Sequence, residues 1–238
     1  MTAEAATTQE SDAAAIEVVK MRGARKLTSQ RMRASLNETA QVTLTRYADA
    51  SQLIALRTKL KSRVVEGVPS PTINDLVLYC VARVLTRHPE INARLRPEGL
   101  IERHSTVNLG FAVDTGRALL VPVIHEANRL TPTQLAQKSK ELIALAKSGK
   151  ITTEAMTGGT FTVSNLGGLG IHWFTPVLNT PEVGILGVGS THASYPGGPL
   201  QLPLSLTFDH QCLDGAAAAA VLGSIAETFK DVRSLVAE

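Results

Sequence analysis

The segment that most restricts the fold is a strongly apolar helix predicted after Thr72. Its apolar side chains recur at helical spacing, and they extend around more than one side of the helix. The positions are Ile73, Leu76, Val77, Cys80, Val81, Val84 and Leu85. Thr72 is suited to cap this helix, because its hydroxyl can accept a hydrogen bond from the first turn. A helix with this pattern must be covered on several sides, so other elements have to surround it.

The rest of the sequence predicts those elements. A short amphipathic helix lies near 24–36, a second helix opens at Thr131 and ends near Gly149, and a third follows Asp214. Strand patterns lie at 41–48, 105–115, 118–125, 158–165, 183–190 and 203–210. Helices and strands do not alternate as simple βαβ units. The sequence therefore predicts an α+β fold: a mixed α/β two-layer sandwich, with one central mixed sheet and helices packed on it.

Composition excludes several classes of protein. The chain has 238 residues, 24 basic and 21 acidic, with a net charge of +3 and no run of five or six like charges, so nucleic acid is not an expected partner. Cys80 and Cys212 cannot build a disulfide framework, and the six histidines show no ligand spacing, so no metal is expected.

No signal peptide or membrane span is visible, which predicts a cytoplasmic protein. Residues 1–18 are interpreted as a flexible tail or linker end, and 19–238 as one domain.

One candidate for chemistry is the segment 205–220, in which a strand ends at His210 and a helix follows Asp214-Gly215. A histidine at the end of a strand can meet a ligand while a rigid element holds it. A structural histidine fits this pattern equally well, and Asp214 has an ordinary role as a helix N-cap.

The second candidate is the segment 158–170, in which five glycines surround Ser164. Glycines let the backbone approach a neighbour or a ligand closely. The segment matches neither a phosphate-binding loop nor the surroundings of a hydrolase nucleophile. Turn formation is therefore its default interpretation.

These segments resemble a known family. "HQCLDG" at 210–215 fits the H-x-x-x-D-G motif of dihydrolipoyl acyltransferases, the core subunits of 2-oxoacid dehydrogenase complexes, and "GGTFTVSNLG" resembles that family's second signature. Further matches are "RKLTSQRM", "TINDLVLYCVARVLTRHPEIN", "VNLGFAVDT" with "LLVPVI", and "FTPVLNTPEVGILGVG". The resemblance covers about 19–235 with the motifs in order. H-x-x-x-D-G alone is less specific, because chloramphenicol acetyltransferases and condensation-type acyltransferases share a version of it.

The resemblance implies a chloramphenicol-acetyltransferase-like fold and acyl transfer between dihydrolipoamide and coenzyme A. It implies His210 as general base, Ser164 as oxyanion donor, and Asp214 as a third site residue that pairs with an arginine of the first signature, for which Arg25 is the candidate. It also implies a homotrimer with the active site between subunits, in some members a larger shell, and partners that comprise a lipoyl domain and dehydrogenase components. A charged fraction of 19% is low for a soluble domain and agrees with surface covered by a subunit.

The sequence departs from the family pattern at three points. Gln211 stands where a basic residue usually follows the histidine, and Gln41 stands where many members carry a histidine. The chain is also too short for a lipoyl domain or a peripheral-subunit-binding domain, so the lipoyl group is expected from a separate domain or protein. Two other functions stay open: acyl transfer to a small hydroxyl or amine acceptor, as in chloramphenicol acetyltransferase, and a non-catalytic trimeric scaffold.

Overall fold

A computed structural model of the protein describes residues 16–62 and 69–236. Residues 1–15 of the predicted tail lie outside the described residues, and Ile16 and Val18, which follow them, are each 90% exposed. The described helices are α1 (Gly23–Glu38), α2 (Ser51–Lys61), α3 (Ile73–Leu85), α4 (Pro132–Ser148), α5 (Gly215–Lys230) and α6 (Val232–Val236). None of these helices combines the length and the apolarity needed to cross a lipid bilayer.

The strands form one large mixed sheet and two small hairpins. The first strands are β1 (Gln41–Asp49), β2 (Ala93–Leu95), β3 (Ile101–Arg103), β4 (Leu109–Phe111), β5 (Val113–Asp114), β6 (Leu119–Leu120) and β7 (Val123–Ile124). The later strands are β8 (Phe161–Asn165), β9 (Gly184–Val188), β10 (His192–Ala193) and β11 (Leu200–Asp209). The large sheet has the order β1-β11-β9-β8-β4-β7, with β10 also paired to β11, while β2-β3 and β5-β6 pair separately. In the large sheet β8 runs parallel to β4 and β9, and the other pairs are antiparallel. The predicted α+β class with a central mixed sheet is confirmed.

Helix α3 lies at the centre of the molecule, as its apolar pattern predicts. Thr72 and Asp75 form a capping box at its N-terminus, with the Asp75 backbone N–H donating to Thr72 Oγ1 at 3.1 Å. From Leu76 to Ala82 every residue is at most 2% exposed. Helices α4 and α5 both pack against it. Burial of apolar side chains around α3 therefore stabilises its packing against α4 and α5.

The two faces of the large sheet differ in chemistry. Leu204, Leu206 and Phe208 of β11 point into the apolar core that the sheet shares with the helices. Side chains alternate between the two faces of a strand, so the residues between these positions point to the opposite face of the sheet. On β1, β8 and β11 several of the residues on that opposite face carry hydroxyl groups. They are Thr43 on β1, Thr162 and Ser164 on β8, and Ser205 and Thr207 on β11. The segment 171–174 lies over part of this hydroxyl face, where the Phe174 ring fills the space above Gly187.

Candidate active site

His210 lies just beyond the end of β11, in the turn that leads to α5. Its backbone N–H donates to the carbonyl of Ala40 at 2.9 Å, which continues the pairing with β1 by one residue. Its side chain is exposed, and the imidazole lies beside the ring of Phe208 at 5.6 Å between centroids. Pairing with the residue before β1 thus fixes the backbone of His210, while its imidazole remains accessible at the surface.

The carboxylate of Asp209, the residue before His210, holds this turn in place. It is 1% exposed, and its Oδ1 accepts hydrogen bonds from the backbone N–H groups of Ala40 and Gln211, each at 3.1 Å. A buried carboxylate is tolerated because these donors replace its lost hydration. No sequence motif pointed to Asp209. The available signal was an acidic residue at the end of a strand that is otherwise uncharged.

The two glutamines that depart from the family pattern both have structural roles. Gln211 Nε2 donates to both oxygens of Asp209 at 3.2 Å and to the carbonyl of Glu38 at 3.0 Å. Gln41 donates to Ser35 and Thr39, and its Oε1 accepts from the backbone N–H of Leu178 at 3.2 Å. A neutral amide can supply the donors that a basic residue would offer to Asp209, so Gln211 leaves this turn intact.

Ser164 lies near the C-terminal end of β8 and is half-buried. Its register partner on β9 is Gly187, which faces Ser205 on β11. The backbone just after β9 lies beside the turn that follows Ser164, since Leu166 N–H donates to the carbonyl of Val188, and a Cβ on Gly189 would collide with the carbonyl of His172. Glycine is therefore required at position 189 for the backbone after β9 to pack against the segment 171–174.

The register of the sheet places Ser164 and His210 at opposite ends. Ser164 aligns with Ser205 through Gly187, and His210 lies five residues beyond Ser205 along β11. Five residues of strand span about 16.5 Å, and two strand spacings add about 9.5 Å at right angles, so the two residues are about 19 Å apart. One chain therefore does not bring these two predicted site residues together.

Asp214 occupies the N-cap position of α5, as predicted, but its side chain makes no capping hydrogen bond. The predicted pair between Asp214 and Arg25 is not formed within the described chain. Helix α1 meets the His210 turn through Glu38 at its C-terminal end, and Arg25 lies 13 residues earlier, about 20 Å along the helix axis. That distance exceeds the reach of an arginine side chain, so a pairing of these residues would have to join two copies of the chain.

Cys212 near His210, and His172 and Trp173 near Ser164, are held in packing contacts that favour structural roles. Burial, and secondarily the charge of Asp209, raises the pKa of Cys212 to about 11, which opposes a role as a thiolate nucleophile. Beyond the Ser164 turn, Trp173 Nε1 donates to the hydroxyl of Tyr47 at 3.2 Å, and His172 stacks on His192 at 4.8 Å between ring centroids. These contacts pack the segment 171–174 against the sheet.

A family model described as 2-oxoacid dehydrogenases acyltransferase (catalytic domain) matches residues 13–237. The chain belongs to this family. It is 37% identical over 225 residues to the dihydrolipoyllysine-residue acetyltransferase component of the acetoin cleaving system of Bacillus subtilis, covering 92% of this chain and 56% of that protein. It is 39% identical over 211 residues to the corresponding component of the pyruvate dehydrogenase complex of Mycoplasma capricolum, covering 86% and 48%. The chain thus spans about half the length of these curated relatives.

Solved acyltransferase structures match the fold over nearly the whole chain. One is dihydrolipoamide acetyltransferase of Azotobacter vinelandii, from an investigation of the role of a serine, a histidine and an asparagine in its catalytic mechanism (TM-score 0.87, 36% identity, 97% of this chain and 99% of that one). Another is the cubic core of a pyruvate dehydrogenase multienzyme complex (TM-score 0.87, 35% identity, the same coverage). Chloramphenicol acetyltransferase shares the fold at a TM-score of 0.59 and 14% identity, covering 84% of this chain and 94% of that one, which confirms the predicted fold type.

Proposed function

We propose that the protein transfers an acyl group between dihydrolipoamide and coenzyme A, as the core of a 2-oxoacid dehydrogenase complex. The family match over residues 13–237 supports the reaction class. The exposed imidazole of His210 and the half-buried hydroxyl of Ser164 supply the two groups that thioester exchange needs. The acyl group comes from one thioester and ends in another.

In this proposal His210 is the general base. A free thiol has a pKa near 8.5 and is mostly protonated at neutral pH, whereas the thiolate is the attacking species. A neutral imidazole can take the thiol proton as sulfur attacks the carbonyl carbon of the thioester. When the tetrahedral intermediate collapses, the old carbon–sulfur bond breaks and the imidazolium returns the proton to the leaving sulfur.

Ser164 stabilises the charge that develops during this reaction. Attack of the thiolate turns the carbonyl oxygen into an oxyanion, which needs a hydrogen-bond donor already in position. The Ser164 hydroxyl is that donor, and its place on β8, which pairs with β4 on one side and β9 on the other, keeps it oriented. Loss of one such donor typically costs about 10²–10³ in rate.

The separation of Ser164 and His210 carries the proposal that the site is shared between subunits. Two groups about 19 Å apart in one chain cannot act on one acyl group, so the serine and the histidine of a working site come from different copies. Helix α1 and the segment before it leave apolar side chains exposed for such contacts: Ile16, Val18, Val19, Met21, Leu27 and Leu36. A homotrimer, in which each chain gives its serine to one neighbour and its histidine to the other, satisfies every copy equally.

In this proposal Asp214 acts as a hydrogen-bonding residue of the shared active site. In the Azotobacter vinelandii enzyme the asparagine under investigation follows the histidine by four positions, as Asp214 follows His210. A neutral amide at that spacing favours a hydrogen-bonding role over an obligatory ion pair. In this proposal, an ion pair between Asp214 and Arg25 forms only between different subunits.

The proposed partners follow from the reaction. Coenzyme A is a freely diffusing substrate, and the lipoyl group is supplied by a separate domain or protein that also receives acyl groups from the dehydrogenase component. A larger shell of trimers is part of this proposal, because one of the matching structures is a cubic core. Two free cysteines agree with a cytoplasmic location.

Mixing two inactive variants tests the shared site. His210→Ala and Ser164→Ala chains are co-expressed, and transfer from acetyl-CoA to dihydrolipoamide is measured spectroscopically. Random assembly of trimers restores an intact serine and histidine at about a quarter of the sites. The control mixes His210→Ala with the double variant Ser164→Ala/His210→Ala, which provides no histidine. Mixed trimers without regained activity would refute the shared site, and an unaltered chain without transfer activity would refute the proposed function.

A further inference from the structure

A buried carboxylic acid lies between the two ends of the sheet and touches neither proposed catalytic residue. Glu182 immediately precedes Val183 and β9 and is 4% exposed. Its Oε2 accepts a hydrogen bond from Thr162 Oγ1 at 2.5 Å, and its Oε1 accepts one from Asn179 Nδ2 at 2.9 Å. Carboxyl groups are rarely buried without a specific purpose, because they lose their hydration.

The surrounding backbone is shaped to hold this group. A Cβ on Gly159 would lie 2.5 Å from Glu182 Oε1, so any larger residue at position 159 would push the carboxyl group out of place. Arg94 of β2 pairs with Glu182 as an isolated β-bridge and is the nearby cation, although its Nε is buried without a hydrogen-bond partner among the described residues. The carboxyl group thus occupies a space that matches its size, and the charge of Arg94 offsets only part of the cost of burying it.

The contacts of Glu182 connect the two half-sites of one chain. Thr162, its hydroxyl partner, lies two residues before Ser164, about 7 Å along β8. On the other side, the carbonyl of Val183 accepts the backbone N–H of Asp209 at 3.0 Å, and Asp209 directly precedes His210. The same short segment also pairs with β2, where the N–H of Leu95 donates to the carbonyl of Pro181 at 2.8 Å.

We propose that Glu182 is a positioning residue for acyl transfer, which holds the strand of Ser164 in register with the segment that anchors the His210 turn. The inference rests on the proposed function, in which these two ends belong to two neighbouring sites. A displacement at Glu182 would therefore disturb both sites that the chain serves. Misplacement of a catalytic group by about 1 Å can cost as much as 10²-fold in rate.

The protonation state of the carboxyl group sets how well it performs this role. Burial raises the pKa of Glu182 to about 7, against the opposing effect of hydrogen bonds from Thr162 and Asn179 and of the Arg94 charge. Arg94 is the one charged side chain among the groups that set this pKa. The neutral acid suits a buried site, whereas ionisation places a poorly solvated charge between the strands and loosens their packing.

The test compares Glu182→Gln, which mimics the neutral acid, with Glu182→Ala, and uses the exposed α4 variant Glu141→Gln as a control. The kcat and the KM for coenzyme A are measured between pH 6 and pH 9 on the assembled protein. Glu182→Ala is expected to lower kcat by about 10-fold or more with KM unchanged within about 2-fold. Glu182→Gln should match the unaltered chain at pH 6 and exceed it increasingly above pH 7, while Glu141→Gln should keep a constant ratio.

Two results would overturn the inference: a folded Glu182→Ala protein with normal kcat, or a ratio of Glu182→Gln to unaltered activity that stays flat with pH. If Glu182→Ala does not fold, Thr162→Val tests the same link, since it removes the hydroxyl donor and keeps the shape. It should lower kcat by about 3-fold or more, and an unchanged kcat would count against the role of Glu182. An unaltered chain that transfers no acyl group would instead reject the proposed function on which the inference rests.

Discussion

The two ends of the large sheet position their candidate catalytic side chains by different physical means. At the His210 end, a buried carboxylate and a glutamine amide join residues that are far apart in sequence, as Asp209 binds the N–H of Ala40. At the Ser164 end, the backbone closes on itself through glycines, and Gly189 lies against the carbonyl of His172. The first end depends on satisfied hydrogen bonds, and the second depends on the absence of side-chain volume.

This difference predicts how each end responds to substitution. The His210 turn should accept a change of side chain that preserves its donors, as Gln211 already illustrates. The Ser164 turn should accept almost no added atom at its close contact, because a backbone carbonyl cannot move without shifting its strand. Substitutions at the two ends can therefore separate chemical roles from structural ones.

The largest effect is expected from His210→Ala. Removal of the general base should lower acyl transfer by about 10³-fold, because the proton acceptor and its orientation are lost together. The imidazole is exposed and the N–H bond to Ala40 is a backbone contact, so the assembled state should not change. Acyl transfer and light scattering on the same preparation check this. Near-normal activity in a correctly assembled variant would exclude His210 as the base.

Ser164→Ala should lower kcat by about 10²-fold to 10³-fold and leave KM nearly unchanged, because the lost hydrogen bond strengthens only as the oxyanion forms. Alanine fits the half-buried position without adding volume, so the strand should remain in place. Steady-state kinetics with varied coenzyme A separates the two parameters. If only KM rises, Ser164 binds substrate and does not stabilise the oxyanion.

Gly189→Ala should destabilise the Ser164 end by about 3 kcal/mol, because the added methyl group meets the carbonyl of His172. Gly168→Ala is the matched control in the same turn region, since a Cβ there has no neighbour within 4 Å. Chemical denaturation of both variants measures the difference. Equal stability of the two would show that the segment 171–174 is free to move away and does not pack against Gly189.

Glu182 should make the free energy of unfolding depend on pH. The pKa of its carboxyl group is 4.5 as an unperturbed group and about 7 in the folded chain. Its stabilising contribution is therefore complete below pH 4.5, falls as the pH rises towards 7, and levels off above that. The pKa difference corresponds to about 3 kcal/mol. Denaturation from pH 4 to pH 8 should show this decline in the unaltered chain relative to Glu182→Gln, and parallel curves would exclude it.

The smallest effect is expected from Asp214→Asn. The side chain makes no capping hydrogen bond and no ion pair with Arg25 within the chain, so the melting temperature of the dissociated chain should change little. In the assembled protein, a contact between Asp214 and Arg25 of different copies would show as weaker assembly. Sedimentation of Asp214→Asn and Arg25→Gln measures this, and unchanged assembly in both would remove the pair from the proposal.

Several elements could be predicted from local sequence because their causes are local. Thr72 caps α3, Thr131 and Gln134 form the capping box of α4, and Gly149 ends that helix in the left-handed conformation. These features depend on residues three or four positions apart, and the apolar periodicity of α3 correctly predicted its burial. The motifs around Ser164 and His210 also identified the family, as the match over residues 13–237 confirms.

The arrangement of the site required the tertiary structure. Motif spacing along the chain carries no information on strand register, and the pairing of β8, β9 and β11 alone shows that Ser164 and His210 lie about 19 Å apart. For the same reason the sequence named Arg25 as a partner of Asp214 without showing that helix α1 extends away from the His210 turn within one chain. Asp209 and Glu182 looked like ordinary acidic residues, because burial and hydrogen-bond partners from distant segments give them their roles. Local sequence determines caps and periodic faces, whereas long-range strand pairing determines which side chains meet, since that pairing joins segments that are remote along the chain.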